Sequence, residues 1–523
     1  MAATAGGRSR LLAPAALARL AAAVPTGGRR PTLASHAAFD GRLVGEVPAC
    51  TAGDVEAAAA RARQAQARWA ATPVADRVRV AERYHELVLA RQADLLDLIQ
   101  LETGKDRRSA FEEVADVAST ARYYAGVAAE ELAPARRQGA FPGLTAARVH
   151  HHPVGLAGII SPFNYPLTLA VSDALPALLA GNAVLLKPDP QTPFTALAAA
   201  ELLAAAGLPR GLLTVLTGEA DVVGPALVEA VDHVTFTGST ATGRRVAEHC
   251  ARRLIGFSGE LGGKNPLIVL ADADLDDAAA GAVRAAFTNT GQLCIAIERL
   301  YVEDAVAEAF LSRFLDRVAS LRLGAGFDWS VDVGSLSRPA QLETVAGHVE
   351  DAVAKGARVL AGGRARPDLG PLFYEPTVLE GVTGAMAVAG EETFGPVVAV
   401  ERVADAEEAL AHANASPYGL NASLWTSPAR GRRLAPRIAA GSVNVNDGYV
   451  AAWASIDAPM GGMKDSGLGR RHGREGLRRY TEPQTVAVQR LAPIAPPPGL
   501  APERYPALLT RTLRLLDRLP LVR

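Results

Sequence analysis

VGLAGIISPFNYPLTLAVSDALPALLAGNAVLLKPDP, residues 154–190, is the stretch whose reading decides the fold. It opens with an apolar run at 154–161, turns through Pro162-Phe163-Asn164-Tyr165-Pro166, continues with helical spacing over 167–180, and closes with a second apolar run, 183–187, ending at Lys187-Pro188. Short apolar runs bounded by turn residues and separated by a helical segment predict a β-α-β unit of a parallel, buried sheet. The texture repeats downstream, with strands expected at 212–216 and 233–237 and helices near 194–206, 220–230 and 239–251. A doubly wound α/β sheet follows. In such sheets ligands bind beyond the carboxyl ends of the strands, which directs attention to the loops after Ser161, Lys187 and Thr237. Upstream, 54–69 and 75–101 carry apolar residues at helical spacing and read as packing helices. Downstream, a second αβ series begins at Asn265, runs through a helix at 275–286 and continues past Gly441-Ser442-Val443-Asn444-Val445.

The 523 residues exceed what one hydrophobic core usually organises, so two or three domains are expected. Charge is balanced, 54 basic against 55 acidic residues, which leaves no global field to attract nucleic acid or an anionic membrane. The longest apolar stretch, 167–186, is interrupted by Asp173, Pro176 and Asn182, which argues against a membrane span. Three scattered cysteines form neither a disulfide framework nor a zinc motif, and a reducing compartment fits. Only five basic residues are lysine: Lys105, Lys187, Lys264, Lys355 and Lys464. The leader up to residue 37 holds arginines and no acid, a pattern shared by mitochondrial transit peptides, but the arginine and alanine bias runs through the whole chain and a variable, poorly ordered bacterial terminus is the preferred reading.

Several residues carry chemical possibilities beside plainer readings. Phe236-Thr237-Gly238-Ser239-Thr240-Ala241-Thr242-Gly243 joins a strand to a helix whose N-terminus would suit a phosphate, although such turns often serve as caps alone. Cys294 follows the polar turn Asn289-Thr290-Gly291-Gln292; a lone cysteine is usually a small buried hydrophobe, and the turn favours accessibility. Glu260, in Gly259-Glu260-Leu261-Gly262-Gly263, suits a general base if burial raises its pKa, and is otherwise a surface carboxylate. Asn164 suits an oxyanion donor or is a turn asparagine. Lys187 suits a ribose contact or is a solvated lysine. His150, His151 and His152 alternate faces in a strand and lack companion ligands, so no metal site is expected.

Taken in order from about residue 39 to 485, these segments resemble the aldehyde dehydrogenase superfamily. The resemblance implies an α/β fold of that type. It places a Rossmann-like doubly wound cofactor domain at 38–136 and 153–261, an α/β catalytic domain at 262–452, and a small β oligomerisation element at 137–152 and 481–494. A leader (1–37) and a C-terminal tail (495–523) flank these. It implies Cys294 as nucleophile, Glu260 as water-activating base and Asn164 as oxyanion donor. The cofactor set it implies is Lys187, Gly238, Ser239, Gly243, Glu392, Phe394, Pro162 and Phe163. Relatives that pass the acyl group to coenzyme A do not need Glu260, which separates this chain from them.

Pro190 stands where NAD-preferring relatives commonly carry a glutamate, so NADP is expected over NAD, with the neighbouring Asp189 as the feature that would reverse the preference. The substrate is expected to be a small aldehyde. Family members acting on succinic semialdehyde look most similar, which implies oxidation to succinate. Yet the positions matching arginines that hold a substrate carboxylate are Thr288 and Ser172, with Arg299 a candidate replacement. The alternative is an aromatic or medium-chain aldehyde in a pocket lined by Phe163, Tyr165, Trp453 and Met460. A catalytically inactive binding protein of the same fold is the different-class alternative, against which stand Cys294, Glu260 and Asn164. Pairing of strands near 147–152 and 484–489 implies a homodimer or homotetramer, and the location implied is cytoplasmic, with the mitochondrial matrix as the alternative.

Overall fold

The computed structural model of the chain describes residues 10–141, 144–490 and 494–518. A six-stranded sheet contains, in spatial order, Gly467–Leu468, Gly256–Glu260, His233–Thr237, Leu156–Ile160, Ala183–Lys187 and Leu213–Val215. All neighbours are parallel except the short edge strand Gly467–Leu468, which runs antiparallel to Gly256–Glu260. The strand Leu156–Ile160 is apolar throughout, and Leu156, Ala157 and Ile159 are buried between helical layers, as a parallel sheet covered on both faces requires. A second sheet of seven strands orders Arg358–Ala361, Thr377–Glu380, Val397–Val403, Ile297–Glu303, Asn265–Val269, Asn421–Trp425 and Ser442–Val445. A third sheet pairs Thr481–Gln489 antiparallel with Thr145–Pro153 over nine residues and adds Ala135–Arg137.

The α/β architecture agrees with the sequence reading, and two local expectations are corrected. The helix expected over 75–101 is two helices, Val74–Ala90 and Gln92–Thr103, broken at Arg91, whose φ of −104° and ψ of 15° leave the helical region. Apolar periodicity runs through the break because both helices face the same core. The leader is also more than a loose end from residue 10 onward. The helix Pro14–Ala21 buries Leu17 and Leu20 in the main core, Arg19 forms a two-point contact with Glu201, and Thr32–His36 pairs with Leu43–Pro48. An alanine-rich helix in an alanine-rich chain carries little compositional signal, so only packing reveals it. Residues 1–9, 142–143, 491–493 and 519–523, parts of the leader, the oligomerisation strands and the tail, lie outside the described residues. Among the described residues no helix is long and apolar enough to cross a membrane.

Candidate active site

The register of the six-stranded sheet sets Lys187 beside Ile160, Ile160 beside Phe236, and Thr237 beside Glu260. These carboxyl ends open on a cavity of about 620 Å³ whose walls include Asn164, Glu260 and Cys294 together with Lys187, Pro190 and residues of the helices Ala220–Ala230 and Thr240–Arg253. That volume falls within the range of sites for large organic ligands.

Cys294 is half-buried and follows a turn with unusual backbone geometry. Asn289, Thr290 and Gly291 all have positive φ, of 50°, 55° and 69°. For β-branched Thr290 this conformation is strained, and it persists because the surroundings fix it. Asn289 Nδ2 donates to the carbonyls of Gln292 (2.9 Å) and Asn164 (3.2 Å), Gln292 Oε1 accepts from Ser337 N (2.9 Å), and Asn265 Nδ2 donates to Cys294 O (2.8 Å). Burial pushes the Cys294 thiol up to about 12, with Arg471 opposing, so the unliganded thiol is protonated at neutral pH. Glu260 is buried, and desolvation raises its carboxyl to about 7, again with Arg471 as the main opposing charge. A carboxyl held there is matched to proton transfer at neutral pH. Asn164 Nδ2 donates one hydrogen to Gln292 O at 3.0 Å, leaving its second hydrogen for another acceptor. Lys105 Nζ donates to the Asn164 carbonyl at 2.6 Å and to Glu113 at 2.7 Å, which fixes the Asn164 backbone.

Along the rest of the cavity, Ser239 caps the helix Thr240–Arg253, and Gly238 N donates to Glu260 O at 3.1 Å, locking the turn to the strand that carries Glu260. The Lys187 amine donates to Pro188 O at 3.1 Å, and burial lowers its pKa against the pull of Asp189 and Glu219. Glu392 accepts from Gly263 N at 3.0 Å, and burial, reinforced by Glu298, raises its carboxyl to about 8. Phe394, with φ of 50°, meets Phe163 edge-on at 6.1 Å, and Arg338 lies 4.3 Å over the other ring, Phe163. Its loop is tied down by Glu298, which accepts from the Thr393 and Phe394 amides and pairs with buried Lys264. Pro162 lines the same wall.

Gly243 departs from expectation: it does not line the cavity. A Cβ there would lie 2.3 Å from Leu261 Cδ2, so the position is required by helix-on-strand packing. Of the expected pocket residues, Phe163 lines this cavity, whereas Tyr165, Ser172, Thr288, Trp453 and Met460 do not. Tyr165 and Met460 belong instead to an apolar cluster against which Cys294 and Trp453 pack. Tyr165 meets Trp453 edge-on at 6.2 Å. Ser172 Oγ donates to Asp116 at 2.7 Å and Thr288 Oγ1 to Arg284 O at 2.7 Å, so both hydroxyls are engaged within the protein. Arg299 is no anion contact: its guanidinium donates to Lys264 O, Tyr301 Oη, His412 O and Ala413 O. The rings of His150 and His152 stack at 6.4 Å while His151 contacts Thr481 Oγ1, and among the described residues no cluster suited to a metal ion is found. Sequence reasoning missed Arg471 and Arg479, two arginines with no local signal to set them apart, and gave Lys105, one of the five lysines, no role.

The arrangement, a thiol, a carboxyl near neutrality and an amide donor in one cavity with a phosphate-suited helix terminus, agrees with comparisons to known proteins. A family model described as "Aldehyde dehydrogenase family" matches residues 26–486. A Mycobacterium tuberculosis protein provisionally named succinate-semialdehyde dehydrogenase (NADP+) 2 is 53% identical over 500 residues, covering 95% of this chain and 96% of its own. A Mycolicibacterium smegmatis protein provisionally given the same activity is 54% identical over 483 residues, 92% of this chain and 93% of its own. The crystal structure of succinate-semialdehyde dehydrogenase from Burkholderia pseudomallei superposes with a TM-score of 0.85 at 33% identity, covering 89% of this chain and 97% of that one. With a family match across most of the chain and relatives of this likeness over nearly their full lengths, the chain belongs to the aldehyde dehydrogenase family.

Proposed function

We propose that this enzyme oxidises succinic semialdehyde to succinate with NADP+, using Cys294 as nucleophile, Glu260 as base and Asn164 as oxyanion donor. The observation that carries the reading is that these three residues share the walls of one cavity with Lys187 and Ser239. The fit to a dinucleotide rests on two further features. Ser161 Oγ is buried in the cavity wall without a partner among the described residues, and the Lys187 amine, which also lines the cavity, donates to the Pro188 carbonyl. Asp189, the carboxylate that would disfavour a 2′-phosphate, accepts from Gln191 N at 3.0 Å, and Pro190 adds no charge. The relatives named for NADP+ support the same preference.

Residue by residue, the chain's part is as follows. The Cys294 thiol releases its proton to solvent water and its sulfur bonds to the aldehyde carbon; the carbonyl π electrons move to oxygen, where the Asn164 amide and the Cys294 backbone N–H donate. NADP+, when bound with Glu392 and Phe394 orienting its nicotinamide half and Lys187 and Ser239 its adenosine and pyrophosphate, supplies the hydride acceptor. The acyl group is left as a thioester on Cys294. Glu260 then takes a proton from water, whose oxygen attacks the acyl carbon, and the sulfur leaves as the carboxylic acid departs.

A second reading has its own observation. Tyr165, Tyr449, Met460 and Trp453 make the cluster beside Cys294 largely apolar, which suits an aromatic or medium-chain aldehyde. Steady-state kcat/KM for succinic semialdehyde, benzaldehyde and hexanal, each with NADP+ and NAD+, decides between them; a higher value for either apolar aldehyde would overturn the succinate assignment. We further assign cofactor binding to 38–136 and 153–261, catalysis to 262–452, and pairing of copies, as dimer or tetramer, to 137–152 with 481–494. The exposed outer strand Thr481–Gln489 supports that pairing, and the bacterial relatives support a cytoplasmic location.

A further inference from the structure

Beside Glu260 lies a buried group of charges that the chemistry above does not use. Asp173, on the helix Thr168–Leu179, is 1% exposed. Its Oδ2 accepts from Arg471 Nη2 at 2.8 Å and its Oδ1 from Arg479 Nη2 at 2.5 Å. Arg471 Nη2 also donates at 3.1 Å to Thr237 Oγ1, and Thr237 is the residue paired with Glu260 across the sheet. On the other side of Glu260 the edge strand supplies Gly467, and the chain from there leads directly into Arg471. The Nε atoms of both arginines are buried without a partner.

Both cations contact Asp173, and among the described residues the only other carboxyl besides Glu260 that feels Arg471 is Asp116, which burial raises to about 6 and which accepts from Ser172 Oγ; in this region screened from water the charge of Arg471 favours a neighbouring anion. The charged and titratable groups facing Glu260 are Arg471, Arg479, Asp173, Arg470 and Cys294. His472, next in the chain, is buried and neutral, its imidazole lowered to about 3 by desolvation and the adjacent arginines. Neither Asp173 nor Arg471 lines the cavity.

We infer that Arg471, fixed by Asp173 and Thr237, is a positioning residue whose charge keeps Glu260 in the ionised form that activates water, with Asp173 limiting how strongly that charge is felt. The inference rests on Glu260 being the base for thioester hydrolysis. Burial favours protonated Glu260 and Arg471 opposes it; removal of Arg471 therefore raises the carboxyl further and empties the active form at neutral pH. Removal of the Asp173 charge acts in the opposite direction.

The test is the pH dependence of thioester hydrolysis in single turnovers of the full-length enzyme, with NADP+ affinity as the measure of an intact fold. Arg471→Met should move the acid limb upward by about one pH unit or more, so that rate lost at neutral pH returns in alkali. Arg471→Lys, which retains the charge, should bring the limb back toward that of the parent, and Asp173→Asn should move it downward. If Arg471→Met does not fold, the direction of the Asp173→Asn shift decides. A limb that stays in place while the rate falls equally at every pH would overturn the inference. Glu260→Gln separates the two levels: unimpaired hydrolysis in that variant removes the base assignment itself, whereas lost hydrolysis with an unmoved limb in the Arg471 and Asp173 variants removes only the role given to Arg471.

Discussion

Replacing Lys105 by methionine tests how the oxyanion donor is held. The Lys105 and Glu113 side chains are both 0% exposed and meet at 2.7 Å. Glu113 also accepts from Leu167 N at 2.8 Å and Thr168 N at 3.2 Å, at the start of the helix Thr168–Leu179. Lys105 reaches past it to the Asn164 carbonyl and lies 3.8 Å over the Tyr165 ring. Lys105→Met keeps the volume of the stem and leaves Glu113 buried with its charge unpaired, which costs about 3–5 kcal/mol of stability. Loss of the donor to Asn164 O also loosens the turn that aims the Asn164 amide, and a mispositioned oxyanion donor lowers kcat by up to about a hundredfold. The double variant Lys105→Met/Glu113→Gln removes the orphaned charge while keeping an acceptor for the two backbone amides, so more than half of the stability loss should return. The kcat deficit should persist, because the contact to Asn164 is still missing. Urea-unfolding midpoints and steady-state kcat measure the two effects separately. A single variant within ~1 kcal/mol of the parent, a spread well below the cost of an unpaired buried charge, would refute the reasoning.

Three other outcomes are expected. Cys294→Ala should abolish aldehyde oxidation while NADP+ still binds, and appreciable turnover in that variant would remove the nucleophile assignment. Because burial places the Cys294 thiol at about 12, its alkylation by iodoacetamide in the unliganded enzyme, followed by mass spectrometry, should rise about tenfold per pH unit from neutrality into the alkaline range; a flat profile would contradict the protonated resting thiol. Pro190→Glu places a carboxylate in the cavity wall and should lower kcat/KM for NADP+ by about tenfold or more relative to NAD+, since like charges brought together at a binding site cost at least that much; an unchanged ratio would relocate the determinant of cofactor choice.

What was legible in the sequence followed local pattern. Apolar runs at 183–187 and 233–237 coincide with the strands Ala183–Lys187 and His233–Thr237, because a strand buried on both faces has no choice but to be apolar. The turns that follow such strands brought Asn164, Lys187, Ser239 and Glu260 into view, since the fold gathers strand ends at one edge. The partners that tune these residues were not legible. Arg471 meets Asp173 across 298 positions, and Asp173 entered the sequence reading only as a break in an apolar stretch. Gly243 looked like a ligand-facing glycine and is spaced instead by Leu261, a distinction that needs the neighbouring strand. The break at Arg91 was hidden because two consecutive helices share one apolar face.

The scarcity of lysine has a practical consequence for chemistry on the intact protein. Lys105, Lys187 and Lys264 are buried, and only Lys355 and Lys464 are exposed. Even these two amines are held, one by Ala385 O and the other by the carbonyls of Asn414 and Ser416. Among the lysine side chains, amine-directed dyes and cross-linkers applied to the native enzyme are therefore addressed to two defined positions. The second of them sits on the short strand Met463–Lys464, in the same segment that leads to Arg471, so a fluorophore attached there would report movements of the stretch that carries this cation.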